Sequence, residues 1–281
     1  MPGDPVKLLL GDGQIRLTQE QQDRIRAAWG LDDPYYIQYL KWAGNFVTGN
    51  LGESLIRRGV PVSDMIFEAL PYTLKLNGYS LALALLIAIP AGILAAVRRN
   101  SVYDYFVTAF TTAGAAIPNY RLGIMVIIVF ALWLRWFPPY GVSSWKGWVL
   151  PIAVLTFEQL AVFTRVMRGS TVETLTMDYV RTAKSKGLAQ RAVVTRHAAR
   201  NALLPVVSIV GIYIATILSG TLIIETLFSI PGIGRLFVDS VNRTDYQVVQ
   251  SIVVLLAVLV VVSNLVTDIV YSFVDPRIRL R

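Results

Sequence analysis

The sequence predicts an all-α membrane protein, a polytopic helical bundle with five membrane-crossing helices. Of its 281 residues, 54% are hydrophobic and only 16% are charged, whereas soluble domains carry roughly a quarter charged residues. The mean hydropathy is +0.55, and the apolar residues gather in five segments, judged against the roughly 20 residues that a membrane helix needs. The net charge of +8 lies in loops flanking these segments, which membrane topology explains better than a nucleic-acid-binding face does.

Composition also narrows the chemistry. The chain has no cysteine and a single histidine, His197. Disulfides, thiolate metal sites and a cysteine nucleophile are therefore excluded, and so is a histidine-rich metal centre. The opening residues, Met1 to Asp4, have neither the basic n-region nor the apolar h-region of a secretory signal.

The first 69 residues are expected to form a segment with short helices outside the bilayer. Thr18 and Gln21 make a capping box for a helix that ends at Gly30. A second helix begins near Asp33-Pro34, and residues 44–59 are expected to be a loop with a short amphipathic piece. The second helix carries aromatic and apolar residues that pack at the membrane surface or form a ligand site: Tyr35, Tyr36, Tyr39, Leu40 and Trp42.

The spans follow from residue 70 onward. The first covers about 70–97 and stops at Arg98-Arg99-Asn100. The second region, 103–136, is too long for one span, so Ile117-Pro118 is expected to break it into a helical approach and a crossing. That crossing and the three later spans cover about 122–134, 148–166, 203–224 and 248–274.

Charge predicts the orientation. Arg98, Arg99, a basic loop at about 178–205 and the arginines at the C-terminus are expected in the cytoplasm, because basic loops stay there. The loops at 138–146 and 225–247 are poorer in Lys and Arg and are expected outside. If the loops alternate between the two sides of the membrane through five spans, residues 1–69 lie outside. A segment of this size without a secretory signal is not expected to cross the membrane by itself, so a further helix is expected before Met1.

The basic loop is the most informative stretch. Six Lys and Arg lie between Asp178 and Pro205, in a helix-forming pattern with one glycine, Gly187. A helical loop of this kind between two membrane spans predicts a cytoplasmic surface that binds a partner.

Nine short motifs follow one another along the chain: PGDPV (2–6), GLDDPYYIQYLKW (30–42), NLGESL (50–55), LPYTLKL (70–76), AAIPNYRLG (115–123), DYVRTAKSKGL (178–188), RHAARNALLPV (196–206), ETLFSIPGIGRL (225–236) and DPRIRLR (275–281). Taken together and in this order, they resemble the membrane-spanning permease subunit of bacterial ABC importers for dipeptides, oligopeptides and nickel. Arg181-Thr182-Ala183 followed by Gly187 is similar to the core of that family's coupling loop, although Arg181 stands where glutamate is usual.

The resemblance implies the type I ABC importer permease fold, with a transmembrane domain at 70–281 and the usual first helix absent before PGDPV. It also implies a coupling loop at about 167–202 that sits in a groove of a cytoplasmic ATPase. The coupling residues are expected to be Asp178, Tyr179, Arg181, Thr182, Ala183, Lys184, Lys186, Gly187 and Leu188.

The implied partners are two ATPase subunits, a homologous second permease, an extracytoplasmic substrate-binding protein and the lipid bilayer of the bacterial inner membrane. The chain itself is expected to be non-catalytic and to bind no cofactor, because it lacks a G-x-x-x-x-G-K-[ST] phosphate loop. ATP and magnesium would be held by the ATPase subunits. Short peptides are the expected substrate, with nickel, glutathione-like compounds and opines left open.

Individual residues keep simpler alternatives. Gly187 is equally suited to a helix C-cap, the small side chain of Ala183 also suits close packing of two helices, and Arg181, Lys184 and Lys186 also serve topology alone. Pro118, Asn119, Pro231 and Gly232 are candidates for a gate or for lining the path, or for ordinary interfacial turns. Three polar residues at membrane depth are expected to pair structurally rather than to bind substrate: Glu158, Asn264 and Asp268.

Two other classes compete. A stand-alone secondary transporter or channel predicts inverted repeats and a charged midplane site, and the sequence shows no internal repeat. An intramembrane enzyme needs a nucleophile with a base or a metal site, and no motif supports a Ser-Lys pair.

Overall fold

The computed structural model describes Thr18 and residues 33–57, 59–215 and 217–274. Within these ranges the backbone is helices and loops with one isolated antiparallel bridge, between Glu53 and Pro61, so the all-α prediction is confirmed. The predicted capping box and the C-terminal DPRIRLR lie outside them. The helices are α1 (Tyr35–Val47), α2 (Val62–Val97), α3 (Val102–Ala116), α4 (Asn119–Val126, continued by a π-helical turn at Ile127–Trp133), α5 (Trp145–Leu175), α6 (Asp178–Ser185), α7 (Gln190–Ala202), α8 (Leu204–Ala215), α9 (Ile217–Leu227), α10 (Ile233–Asn242) and α11 (Tyr246–Val274).

The described residues divide into two compact units. One combines the described part of the first 70 residues with Leu236–Leu255, and the other combines Pro71–Arg235 with the described residues from Leu256 onward. In the first unit the buried carboxylate of Asp245 accepts hydrogen bonds from the Ser54 hydroxyl and, at 3.1 Å, from the backbone N–H of Leu55. The two hydrogen bonds to Asp245 therefore fix the segment before α2 to the residues that precede α11.

Within the described residues, three helices are long and apolar enough to cross a membrane: α2, α5 and the Tyr246–Thr267 part of α11. Two bent helix pairs raise the number to five if each pair is one span. The first and third spans differ from their predicted bounds. Helix α2 begins at Val62, before the predicted start at 70, and α5 continues to Leu175, past the predicted end at 166. The fourth predicted span is covered by α8 and α9, which flank residue 216.

The predicted break at Ile117-Pro118 is confirmed. Helix α3 ends at Ala116, α4 begins at Asn119, and the two axes differ by 99°. Ile117 is extended, with φ −92° and ψ 117°, because the ring of a following proline disfavours the helical conformation. Pro118 then stands just before the first residue of α4, where its missing N–H costs no helical hydrogen bond.

Two apolar clusters hold the larger unit together. One joins α2 to α5 and α9 through Leu76, Val154 and Ile224, which are at most 1% exposed. The other joins α2 to α5, α7 and α8 and includes Ala88 and Phe163, both fully buried. Helix α5 therefore lies at the centre of this unit and contacts most of its other helices.

Candidate functional site

The central part of the predicted coupling loop folds as α6, a short amphipathic helix. Val180 and Ala183 point inward and are at most 6% exposed, packed against Val193 of α7 and against Leu175 at the end of α5. The spacing of three residues between Val180 and Ala183 places them on one face of the helix. The small side chain of Ala183 therefore fills a packing role, one of the alternatives that the sequence left open.

The remaining side chains of this loop form an exposed face. Arg181 and Asp178 are 3.8 Å apart, but with side chains 75% and 99% exposed their attraction contributes little to stability. This pair therefore leaves both charged side chains accessible to solvent. The exposed members of the face are Asp178, Tyr179, Arg181, Thr182, Lys184, Lys186 and Leu188.

Gly187 ends α6 in a conformation that favours glycine. Its φ is +76°, in the left-handed region, and its N–H donates to the carbonyl of Lys184 at 3.0 Å. A Cβ at this position would meet no atom within 4 Å. Backbone conformation therefore calls for glycine here, as expected of a helix C-cap.

Helix α6 is tied to α5 through α7. The amide of Asn201 donates to the Tyr179 hydroxyl at 2.8 Å, and the hydroxyl of Ser170 donates to the carbonyl of Ala202 at 2.9 Å. His197 lies between these contacts in a half-buried π-helical turn of α7. Helix α6 is therefore connected to α5 by hydrogen bonds as well as by the packing of Val193.

A charged pair, missed by the sequence analysis, joins α5 to α3. The guanidinium of Arg168 contacts both carboxylate oxygens of Asp104, one through Nε and the other, at 2.8 Å, through Nη2. The Asp104 side chain is 3% exposed and that of Arg168 28%. Bidentate pairs of this kind fix the relative orientation of two elements.

The bend between α3 and α4 opens a cavity of about 300 Å³. Pro118 and Asn119 line it, as do Glu158 of α5 and Ile223 of α9. The Asn119 amide donates a hydrogen bond to the half-buried carboxylate of Glu158. The structure thus brings together Asn119, which was predicted to line the path or a gate, and Glu158, which was predicted to pair structurally.

The ETLFSIPGIG segment closes around a buried carboxylate. Glu225 accepts hydrogen bonds from the Thr73 hydroxyl at 2.6 Å and from the N–H of Arg235 at 3.1 Å. Gly232 is buried, and a Cβ there would lie 2.4 Å from Glu225 Cδ, so only glycine fits. Pro231 is exposed. Gly232 therefore makes room for Glu225.

The chain matches a protein family over residues 88–280, the binding-protein-dependent transport system inner membrane component. The chain belongs to this family. It is 42% identical to the oligopeptide transport system permease protein AppB of Bacillus subtilis, over 99% of this chain and 90% of that protein. It is 37% identical to the dipeptide permease DppB of Bacillus subtilis (100% and 89% covered) and to the glutathione permease GsiC of Escherichia coli K12 (100% and 90%).

A solved structure shares the fold. The inward-facing MetNI methionine ABC transporter matches with a TM-score of 0.65 and 18% sequence identity, over 75% of this chain and 96% of that chain. The predicted fold and the predicted family are both confirmed. The protein is a multi-pass membrane permease subunit of an ABC importer.

Two further polar residues were predicted at membrane depth. Asn264 on α11 is exposed, and the side chain of Asp268 lies outside the described residues. Across the part of the chain that the structure describes, no group of three His, Asp or Glu side chains comes together that could hold a metal ion. The carboxylates of Glu158, Asp104 and Glu225 do have hydrogen-bond partners on other helices.

Proposed function

We propose that this permease forms, together with a homologous second permease, the path by which an ATP-driven importer carries short peptides into the bacterial cell. The support is the set of relatives named for oligopeptide, dipeptide and glutathione transport, each 37% or more identical over nearly all of this chain. Glutathione is itself a short peptide, so the three names share one substrate chemistry. Nickel and opines are the alternatives that uptake assays would separate.

Energy comes from two cytoplasmic ATPase subunits, which hold ATP and magnesium, while this chain hydrolyses nothing and binds no cofactor. The observation that supports this most directly is the geometry of α6. Its inner face is held by Val180 and Ala183, and its outer face is exposed and basic. An amphipathic helix in this state suits a groove of a partner protein.

Movement of the ATPase subunits is passed from α6 through α7 to α5. Because α5 carries both Arg168, bound to α3, and Glu158, bound to Asn119 at the start of α4, a shift of α5 moves the bend at Pro118. The bend and the turn at Pro231-Gly232 then act as gates. This is rigid-body rocking of packed helices between two states.

The orientation follows from charge. The coupling loop and the C-terminus face the cytoplasm, and residues 1–69 lie outside the inner membrane, where a substrate-binding protein docks. Helix α1 offers this protein an exposed aromatic surface that includes Tyr35, Tyr36 and Tyr39, each at least 62% exposed. The chain binds no nucleic acid, since its basic residues are used for topology and coupling.

The test is a reconstitution. The chain is co-expressed with its neighbouring genes, purified from membranes and placed in liposomes with a binding protein and a labelled tripeptide. We expect two ATPase subunits and a second permease to co-purify, and uptake to require ATP. Replacing Lys184 and Lys186 with glutamate should weaken retention of the ATPase subunits, whereas the same change at Lys41 in α1 should not. Uptake by the chain alone without ATP would overturn the proposal in favour of a secondary transporter.

A further inference from the structure

The cavity at the bend between α3 and α4 has the form of a small ligand site. It is a half-open cleft of about 300 Å³, which is at the lower end of the range for small-molecule pockets. Gly114 and Ala115 line it on the α3 side, while Ile117 and Ile223 give it apolar walls. The volume is sufficient for one end of a peptide and its first side chain, but not for a whole oligopeptide.

One charged group lines this cavity. Glu158 projects from α5, and among the described residues that line the cavity there is neither a lysine nor an arginine. Across the described residues no cationic side chain lies within 4 Å of the Glu158 carboxylate; its hydrogen-bond donor is the Asn119 amide. An ionised carboxylate offers about four acceptor positions, so this single donor leaves most of them unfilled.

A carboxylate at membrane depth without a cationic partner is costly, and in membrane proteins such a group commonly marks a pathway. The cavity does not suit a metal ion, because the described residues contain no cluster of three acidic or histidine ligands. A single carboxylate beside a neutral amide suits an organic ammonium group instead. The ammonium donates to Glu158, and the Asn119 carbonyl oxygen accepts a second hydrogen bond from it.

We propose that Glu158 and Asn119 form a subsite on the translocation path that binds the free amino terminus of the peptide, with the first side chain against Ile117 and Ile223. This inference rests on the proposed function, since it assigns the orientation of a peptide substrate. It gives the permease a selectivity of its own. Peptides with a free amino terminus are favoured over peptides in which that nitrogen is acylated and uncharged.

The absence of cysteine from the chain allows a direct test. Ile223→Cys places one thiol in the wall of the cavity that Glu158 also lines. The reconstituted complex is treated with methanethiosulfonate reagents of similar size, one carrying a trimethylammonium group and the other a sulfonate. Labelling of this chain is followed by mass spectrometry, and Tyr140→Cys, in a loop where Tyr140 is 70% exposed, serves as the reference thiol.

The deciding variant is Glu158→Gln, which keeps an acceptor for Asn119 and removes the charge. We expect it to lower the ratio of cationic to anionic labelling at Ile223→Cys by about tenfold, the effect of one charge-assisted contact. The matched control is Glu173→Gln, which removes an exposed carboxylate from the same helix at a distance of roughly 20 Å. A change of less than about twofold for Glu158→Gln, or an equal change for Glu173→Gln, overturns the proposal.

A second arm tests the ligand. In the complex with its binding protein and ATP, a transported peptide with a free amino terminus should slow cationic labelling, and the same peptide N-acetylated should not. Glu158→Gln should abolish this protection. Equal protection by both peptides, or no labelling at Ile223→Cys while the reference thiol reacts, overturns the subsite. If the proposed peptide transport is wrong, the unaltered complex will show no ATP-dependent peptide uptake. That result would not change the ratio of cationic to anionic labelling, so the two failures can be told apart.

Discussion

The hydroxyl of Thr73 donates a hydrogen bond of 2.6 Å to the carboxylate of Glu225, 152 residues further along the chain, and both side chains are fully buried. The same hydroxyl oxygen accepts the N–H of Ile233 at 2.9 Å, and Glu225 accepts the N–H of Arg235. Both N–H groups belong to the first turn of α10, where backbone donors have no partner within the helix. The pair therefore caps α10 from α2 and α9, with the carboxyl group of Glu225 at the positive end of the helix.

Replacing Thr73 with valine should destabilise the permease by roughly 1–3 kcal/mol, because the change leaves the backbone N–H of Ile233 unpaired in a buried site and removes one donor to the Glu225 carboxyl group. Valine has nearly the same shape, so the loss reports hydrogen bonding rather than packing. Thermal unfolding in detergent measures it. Thr226→Val is the control, since Thr226 is exposed and bonds only the carbonyl of Leu222 within its own helix. Equal melting temperatures for the two variants would contradict the capping role.

Gly187→Ala should reduce peptide uptake per ATP hydrolysed, while membrane insertion stays normal. An L-residue at φ +76° costs about 1–2 kcal/mol, which is enough to lower the population of the native α6 terminus by about tenfold. No neighbouring atom would obstruct the added methyl group, so the effect comes from the backbone alone. Gly187→Asn should be milder, because asparagine tolerates the left-handed region.

Gly169→Ala provides the matched comparison for Gly187. This glycine lies in α5, also has no atom within 4 Å of an added Cβ, and has no positive φ. Its substitution should leave the ratio of uptake to hydrolysis unchanged. Coupling that is normal in Gly187→Ala, or lost equally in both variants, would remove Gly187 from the coupling mechanism.

Features set by local sequence were predictable, and those set by distant partners were not. Pro118 and Gly187 act on the backbone of their immediate neighbours, and the break and the helix end appear where the sequence placed them. The start of α2 was placed too late because Asp64 and Glu68 lower the hydropathy of its first turns, although they do not prevent a helix.

The polar contacts between helices could not be predicted from the sequence, for a different reason. Arg168 and Asp104 are 64 residues apart, and Asn119 and Glu158 are 39 apart. Sequence patterns show that such groups are costly at membrane depth, but not which groups meet. That depends on how α3, α4 and α5 pack, which a single sequence leaves undetermined.

Asp104→Asn should destabilise the permease by about 3–5 kcal/mol, since it leaves the Arg168 guanidinium partly buried without a counter-charge. Chemical denaturation in mixed micelles measures the loss. Asp33→Asn removes one partner of an exposed pair, with Lys41 at 2.6 Å and 64% exposed, and should cost less than about 1 kcal/mol. If both substitutions cost the same, the Arg168–Asp104 contact does not hold α5 to α3.

Two glycines of α2 should respond to alanine with opposite signs. At Gly92 an added Cβ would lie 2.8 Å from Met167 Cβ, 2.9 Å from the carbonyl oxygen of Thr164 and 3.0 Å from the backbone nitrogen of Arg168. Two of these atoms belong to the backbone of α5 and cannot rotate away, so the helices must separate. Close approach of this kind is a common use of small residues between membrane helices, and Gly92→Ala should cost about 1–3 kcal/mol.

At Gly78, four turns earlier in the same helix, an added Cβ would meet nothing within 4 Å. Gly78→Ala should therefore stabilise α2 by about 0.5–1 kcal/mol, because alanine loses less backbone entropy in a helix. Melting temperatures of the two variants, taken in the same detergent, give the comparison directly. If Gly92→Ala proved as stable as Gly78→Ala, α2 and α5 would not be in close contact at this position, and the central place of α5 in the coupling route would lose its support.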